Sequence, residues 1–388
     1  MLTTRPLLES EDRAALRALV TEILDRHLTP QEALEHDRTG TFPRPTWEAL
    51  GAAGLLGIGA DEALGGSGGT VGDAVAVTEE IARRLPSLSV DHVLSGMAMR
   101  MLADPACGSI SEALPRVASG ASIGSFGLSE PGVGTDLLAL RTRAELRDGQ
   151  WHLDGQKTWI SLAQEADVIH VLARTDPAPE GRRARGLSLI TVLVDQPGVQ
   201  IRRVHLAGMR AAGTCEVFLD DAVAPESHLV GERGKGLRML SQALDVERVM
   251  AAAISLGIGR AALDAALTYA GEREAFGAPI GSLQAVAHPL ADSLAELQAA
   301  RALVDQVVDR IESGHEAITA AGMAKLVASE TTARIVDRCM RVMGAMGLAE
   351  ESSMQMYFRD ARLQLFSPIS NEMIRNLVAE DAGLPRSY

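Results

Sequence analysis

The hydrophobic periodicity changes twice along the 388-residue chain, and this change constrains its fold more than any other feature. Residues 9–119 space their apolar side chains as helices do, with breaks at residues 41–43 and 65–69. Residues 121–230 instead carry short alternating runs, such as 168–172 and 187–193, that are typical of β-strands. From Gly236 onward the helical period returns in long apolar stripes. The order predicts an α+β fold.

Three domains follow from these changes: a helical domain over 1–120, an all-β domain over 121–235 and a helical bundle over 236–388. The bundle contains two predicted long helices, over 283–311 and 317–343, with Gly314 as the stop between them. Pro289 is expected near the first turn of the earlier helix or at a kink in it. In the β region, Asp154-Gly155 and residues 196–198 are predicted turns.

Composition excludes several function classes. The chain has 37 basic and 51 acidic residues, a net charge of −14, which disfavours nucleic-acid binding. The longest uncharged apolar stretch, 249–259, is short of the ~18 residues that span a bilayer, so no membrane helix is expected. The first residues resemble no secretory signal, which predicts a cytoplasmic protein. Cys107, Cys215 and Cys339 form no CxxC pair and are expected to be buried thiols, and no metal site is predicted.

The loop 128–136, LSEPGVGTD, can turn backbone N–H groups toward an acceptor, although such a loop is more often only a tight turn. A second segment, 154–161, is read as a turn and a strand that presents Trp159 and Ser161 on one face. An indole beside a hydroxyl suits a planar heterocycle, and a core tryptophan is the alternative. The Arg-, Pro- and Gly-rich stretch 176–186 predicts a solvated surface loop, with an anion site as the less favoured reading.

Taken together, six ordered motifs give the chain a family resemblance. They are the loop 128–136, DGQKTWIS (154–161), GMRAA (208–212) with TCEV (214–217), the segment from Gly231-Glu232 to Gly236, REAFG (273–277) followed by Gln284, and RDA (359–361). The chain resembles the acyl-CoA dehydrogenase family of flavoenzymes over nearly its whole length. The resemblance implies an N-terminal helical domain, a central β-barrel, a C-terminal four-helix bundle and a homotetramer with one FAD per subunit.

The resemblance also implies roles for individual residues. Phe126, Leu128, Ser129, Trp159 and Ser161 would surround the flavin ring, and Gly134 and Thr135 would lie beside the thioester or pantetheine. The pyrophosphate and adenosine half of FAD would be held, often across a subunit interface, by Arg273, Phe276 and Gln284. A guanidinium suits a phosphate, and a surface ion pair is the alternative role for Arg273. Gly344 and Ser370 would also contact the cofactor.

The family reaction needs a carboxylate base. Its most common position, in a YEGTS-like segment, aligns here with 367–371, and Pro368 stands where the Glu would be. A second branch, including isovaleryl and long-chain enzymes, places the Glu on a bundle helix in a motif resembling LDLER. Here that segment is LDVER (244–248), so Glu247 is the predicted base, with Asp245 and Arg248 on the substrate side. An ordinary ion pair between Glu247 and an arginine is the alternative.

Two departures from the family pattern bear on this prediction. Pro368 has no N–H to give the thioester carbonyl, so either the Ile369 N–H substitutes or the carbonyl lies elsewhere. Arg341 replaces a glutamine that contacts FAD, and it could still reach a phosphate.

The predicted function is dehydrogenation of an acyl group on CoA or on a carrier protein. The base removes the α-proton, the β-hydride passes to flavin N5, and an electron-transfer flavoprotein takes the electrons. The alternatives are an oxidase, monooxygenase or atypical desaturase on the same fold, and a flavin-free scaffold.

Overall fold

The N-terminal third is helical, as predicted. The computed structural model of the chain describes residues 4–178, 180–241 and 244–386, so the ends of the two predicted outer domains, 1–3 and 387–388, lie outside the described residues. The first helices are α1 (Glu11–His27), α2 (Pro30–Thr39), α3 (Arg44–Ala52), α4 (Val71–Arg84), α5 (Pro86–Leu102) and α6 (Leu114–Ala118).

The central region forms one mixed sheet. Its strands are β1 (Gly124–Gly127), β2 (Arg143–Arg147), β3 (Gln150–Ile160), β4 (Val168–Arg174), β5 (Leu187–Leu193), β6 (Val199–Arg203), β7 (Cys215–Pro225) and β8 (Leu229–Val230). The hydrogen-bonded order is β6-β7-β3-β2-β4-β5-β8, with β1 parallel to β4 at one side. Alternating burial along β2, β3 and β7 gives this domain a separate apolar core around Trp151 and Leu153.

The C-terminal third is a bundle of helices. It contains α7 (Gly236–Ser241), α8 (Leu244–Glu272), α9 (Gln284–Glu312), α10 (Ile318–Met343), α11 (Ala345–Leu348), α12 (Ser353–Asp360) and α13 (Asn371–Asp381). A short hairpin of β9 (Glu274–Ala275) and β10 (Ala278–Pro279) joins α8 to α9. Helices α8, α9, α10 and α13 pack against one another and confirm the predicted α+β class with a C-terminal four-helix bundle.

Local signals explain several element ends. Thr29 and Glu32 form a reciprocal capping box at the start of α2, and Gly314 is left-handed after α9, where a stop is expected. Pro289 lies in the second turn of α9, close to the first turn as expected, because the helix begins at Gln284. The three cysteines are free and buried, as predicted.

One prediction about local structure is wrong. Asp154-Gly155 is not a turn but lies inside β3, where the pairing with β7 shifts register at Gly155. A Cβ at Gly155 would lie 2.5 Å from the Thr142 Oγ1, so close packing explains the glycine.

By length and composition alone, helix α8 is apolar enough to cross a membrane, with a mean hydropathy of 1.4 over 18 residues. However, 89% of that window is buried inside the protein, as in the core helix of a bundle.

A buried ionic cluster joins the first and last helical layers. Glu79 and Glu80 of α4 accept hydrogen bonds from Arg17 of α1 (2.9 Å each) and from Arg260 of α8 (2.7 and 2.6 Å), and Arg301 of α9 also pairs with Glu79. The Glu79 side chain is fully buried. Burial alone raises its pKa, but the three arginine charges outweigh burial and hold the pKa below its ordinary value. Four helices therefore meet at one carboxylate.

We expect Glu79→Gln to lower the free energy of unfolding by about 3–5 kcal/mol, because the buried arginines lose their shared counter-charge. Urea denaturation followed by circular dichroism measures this change. Glu35→Gln, which removes an exposed ion pair with Arg38, is the matched control and should leave the midpoint unchanged. Equal midpoints for the two variants would show that the cluster does not hold the layers together.

Candidate active site

The loop 128–136 is fastened to strand β3. The Lys157 ammonium donates to the Leu128 carbonyl (3.1 Å) and to the Glu130 carboxylate (3.0 Å), and the Thr158 N–H donates to the Ser129 carbonyl (3.0 Å). The fastening brings together the two segments that the sequence analysis selected separately.

Glu130 is the anchor of this loop. Its carboxylate also accepts from the backbone N–H groups of Arg141 and Thr142, at 2.8 Å each. Burial opposes the charge on Glu130, but these hydrogen bonds and Lys157 lower the pKa of the carboxyl. Burial in turn lowers the pKa of Lys157 to about 8, against the opposing effect of Glu130. Each partner therefore stabilises a charge that burial disfavours, which makes the loop position depend on the pair.

Trp159 is not a core residue, because 61% of its surface is exposed. Its φ of 61° interrupts the pleat at the end of β3, and Ser161 lies just beyond the strand. The alternation argument that placed both side chains on one strand face is therefore wrong. Ser161 is held beside β1, because the Ser125 hydroxyl donates to the Ser161 carbonyl at 2.8 Å.

Glu247 faces a largely apolar cleft between α5, α8 and the segment 56–60. The cleft is narrow, with a cavity of about 30 Å³, and its apolar walls include Val93, Met97 and Met250. Burial raises the pKa of Glu247 to about 7, and the charge of Arg248 only partly opposes it. A carboxyl with a pKa near neutrality suits a general base.

No ion pair within 4 Å joins Glu247 to an arginine among the described residues. Arg248 is buried and donates instead to the Ile318 carbonyl at 2.9 Å. One Asp245 carboxylate oxygen accepts from the Val246 N–H at 2.8 Å. The alternative role for Glu247, an ordinary ion pair, is therefore not what the structure shows.

Helix α5 is a wall shared by the cleft and the β domain. Ala98 and Met101 pack in the apolar cluster that Phe126 and Leu128 also contact. Met97, one turn before Met101, lines the Glu247 cleft. The predicted flavin-ring residues and the predicted base thus both lie beside helix α5.

Other predicted residues lie around this region. Gly134 and Thr135 are exposed at the rim of the loop, where an added Cβ at Gly134 would meet no atom within 4 Å. Ser370 caps α13, and its neighbour Ile369 accepts a 2.8 Å hydrogen bond from Lys325 of α10 through its carbonyl. The Ile369 N–H has no hydrogen bond partner in the described part of the chain.

A second group of predicted residues lies far from Glu247. Arg273 follows the C-terminal end of α8, so it is about 39 Å along the helix axis from Glu247. Phe276 and Gln284 lie at the same end of the bundle. Helix α10 runs parallel to α8, so Arg341 and Gly344 at its C-terminal end lie there as well. Within one subunit the structure therefore does not bring these five residues to the cleft.

The exposed residues at this far end differ in their contacts. Arg273 is exposed and makes no ion pair within the described residues, contrary to its alternative role as a surface ion-pair partner. Phe276 is 98% exposed. Arg341 pairs with Asp337 at 3.0 Å on its own helix, so this guanidinium already has a partner.

Two of the six motifs hold domains together instead of lining the cleft. The Met209 N–H donates to the Asp360 carboxyl (2.6 Å), and Arg359 pairs with Asp37 of α2 (2.5 Å). Burial raises the pKa of Asp360 to about 7. These contacts join the β domain to α12 and α2.

The sequence analysis missed two polar residues of the cleft, His92 and Arg100. His92 is buried between the Thr78 hydroxyl and the Leu55 carbonyl, each 3.0 Å from a ring nitrogen, and burial lowers its pKa to about 4. Both residues lie on α5, and only their spacing on one face with Val93, Gly96 and Met97 could have indicated a shared surface.

Comparison with known proteins agrees with this architecture. Family models of the acyl-CoA dehydrogenase N-terminal, middle and C-terminal domains match residues 10–121, 125–222 and 234–383. A probable acyl-CoA dehydrogenase of Bacillus subtilis is 33% identical over 95% of this chain and 97% of its own length. The mitochondrial isovaleryl-CoA dehydrogenase of Pongo abelii is 32% identical, over 95% and 88% respectively.

A solved structure of a putative acyl-CoA dehydrogenase from Mycobacterium smegmatis is 30% identical, with a TM-score of 0.91, and covers 97% of this chain and 98% of that one. The chain belongs to the acyl-CoA dehydrogenase family. It is therefore an oxidoreductase of the type that acts on a CH–CH group.

We expect Lys157→Met to weaken FAD retention, because Glu130 loses its buried counter-charge and the loop 128–136 loses its fastening to β3. The dissociation constant should rise about tenfold or more, since a hydrogen bond between charged groups is removed. Titration of the apoprotein with FAD measures it.

The control is Lys235→Met, which removes an exposed pair with Glu232. Retention of FAD by Lys157→Met as tight as in this control would contradict the assigned role of the loop.

Proposed function

We propose that the chain oxidises the acyl group of a thioester to an enoyl group, with Glu247 as the base that removes the α-proton. The observation that carries this proposal is a half-buried carboxyl with a pKa near 7, without an ion pair within the described residues, at the wall of an apolar cleft. Its thioester is carried by CoA or by a carrier protein. An electron-transfer flavoprotein is the proposed electron acceptor, and the cytoplasm is the proposed location.

The residues beside the cleft suit FAD. Trp159 offers an exposed indole for one ring face in a chain with only 3% aromatic residues. The hydroxyls of Ser129 and Ser161 make no hydrogen bond within the described residues and can donate to the edge of a heterocycle. Bound FAD supplies the hydride acceptor of the reaction.

The protein's own residues then have separate tasks. Glu247 receives the α-proton, and the apolar walls of the cleft exclude water from the acyl chain. Because Pro368 has no N–H, the unpaired Ile369 N–H is the proposed donor to the thioester carbonyl. Arg248 keeps the Glu247 pKa from rising further.

The distance between the two ends of the bundle supports a shared site. The far end of the bundle from Glu247 contains Arg273, Phe276, Gln284, Arg341 and Gly344, with Arg273 about 39 Å from Glu247 along α8. We propose that they hold the pyrophosphate and adenosine half of the FAD bound to a second copy of the chain. The expected assembly is a tetramer built from such pairs.

Glu247→Gln tests the base. Anaerobic mixing of the FAD-loaded wild type with saturated acyl-CoAs should bleach the flavin absorbance, and the variant should bleach at least about 10³-fold more slowly because the proton acceptor is gone. Equal rates would contradict the assignment of Glu247.

The pH dependence gives an independent prediction. Because burial raises the Glu247 pKa to about 7, the base is protonated and inactive below that pH in the free enzyme. We expect kcat/KM to rise with pH and level off above about 7. A profile that is flat between pH 5.5 and 8.5, as stopped-flow flavin reduction would measure it, excludes this carboxyl as the titrating base.

Mixed oligomers test the shared site. Arg273→Ala and Glu247→Gln should each be inactive alone, the first through loss of FAD. Refolding or coexpressing the two chains together should restore about one quarter of the wild-type activity, because half of random pairs are mixed and each mixed pair has one intact site. No recovery in mixed oligomers, with both chains present by mass spectrometry, would refute a site built from two subunits.

A further inference from the structure

The Glu247 cleft contains a cation that its other charges do not neutralise. Arg100 of α5 lines the cleft, and among the described residues its side chain donates one hydrogen bond, from Nη2 to the Gly59 carbonyl at 3.3 Å. A guanidinium has five N–H donors, so most of its donors are left for a ligand or for water. No carboxylate lies within 4 Å of it in the described part of the chain.

The acids nearest to Arg100 form no ion pair with it among the described residues. Asp245 is the one carboxylate whose charge raises the Arg100 pKa, but an Asp245 oxygen accepts from the Val246 N–H. Glu247 is under the influence of Arg248 and not of Arg100. Burial accordingly lowers the pKa of Arg100 below its ordinary value, which is the direction expected for a partly desolvated cation without a close partner.

The other polar side chain of the cleft cannot take this role. His92 has both ring nitrogens engaged, with Thr78 and with the Leu55 carbonyl, and its low pKa keeps it neutral. A ligand group that needs a cation therefore has Arg100 as its partner in the cleft.

The surrounding backbone leaves space beside this guanidinium. Gly96 lies one turn before Arg100 on the same face of α5, and a Cβ there would meet no atom within 4 Å. Gly59 approaches closely, since an added Cβ would lie 3.3 Å from Arg100 Nη2. One side of the guanidinium is thus held by the loop, and the Gly96 side of the cleft is open.

Resting on the proposed function, we infer that the acyl group of the preferred substrate carries a second carboxylate, which Arg100 binds. A carboxylate matches the paired N–H geometry of a guanidinium and neutralises its charge inside the cleft. A methyl-terminated acyl group would leave the cation without a partner. The net charge of −14 repels anions at long range, so a local cation is what such a substrate needs.

Paired substrates of equal carbon number test this inference with the FAD-loaded enzyme: hexanoyl-CoA against adipyl-CoA, and octanoyl-CoA against suberyl-CoA. We expect the wild type to show a higher kcat/KM for flavin reduction with the carboxylate-terminated member of a pair. Arg100→Met should lower the ratio of the two values about 10- to 100-fold, because it removes a hydrogen bond between charged groups. Arg100→Lys should retain part of the ratio.

Two control variants separate charge from shape. Met97→Leu changes a neutral wall of the same cleft and should leave the ratio unchanged. Arg116→Met removes an exposed arginine outside the cleft and should also leave it unchanged. A wild type that prefers the methyl-terminated substrates, or an Arg100→Met ratio equal to those of the controls, overturns the inference.

A binding experiment distinguishes failure of this inference from failure of the proposed function. Calorimetric titration of Glu247→Gln with adipyl-CoA and hexanoyl-CoA measures affinity without turnover. If no acyl-CoA reduces the wild-type flavin, the proposed dehydrogenation fails. The assignment of Arg100 to a substrate carboxylate still stands if adipyl-CoA binds Glu247→Gln more tightly than hexanoyl-CoA does and the two affinities become equal in Glu247→Gln/Arg100→Met. It is overturned if the two ligands bind Glu247→Gln with equal affinity.

Discussion

The position of helix α8 depends on the carboxylate of Glu79. Arg17, Arg260 and Arg301 reach this one group from three helices, and only the first two of these buried cations also pair with Glu80. Apolar packing alone allows helices to slide by small steps, whereas a shared hydrogen-bonded ion fixes their relative height. Glu247 lies 13 residues before Arg260, about 20 Å along the same helix. The cluster therefore sets where the carboxyl of Glu247 meets the wall formed by α5.

Burial acts on the two charged groups of the cleft in opposite senses. It raises the pKa of Glu247 and lowers that of Arg100, so it disfavours the ionised form of both. Neither group relieves the other by a direct contact. Burying these two groups without a direct contact between them destabilises the free protein. A ligand that neutralises the cation and presents an acidic C–H to the base stabilises the cleft.

The length of the bundle separates two tasks. Glu247, the proposed base, lies near the end where α8 and α10 begin, and the residues proposed for the distal half of FAD lie at the end where these helices stop. A rigid bundle of roughly 40 Å cannot bend one end to the other, so a second copy is the simplest way to unite them. The exposed Phe276, which has little to contact in its own subunit, agrees with this arrangement.

The order of the helical and β regions and the two long helices of the bundle can be read from the sequence alone, whereas the prediction of Glu247 over the vacant position at Pro368 rests on the family resemblance. The first two features can be read in this way for a physical reason. These features depend on periodicity and on residue types at short spacing, which a chain displays without folding. The bulge at Gly155 and the left-handed Trp159 were missed because close approach between strands, not local preference, decides them.

Only the tertiary structure decided which charges are paired and which are left over. Lys157 pairs with Glu130, 27 positions away in the sequence, and Arg260 pairs with Glu79, 181 positions away. Among the described residues, the Arg100 side chain donates only to a backbone carbonyl. A charged side chain looks the same in sequence whether it lies in water, in a buried cluster or in a cleft. Its pKa and its need for a partner arise from desolvation and from neighbours that folding brings together.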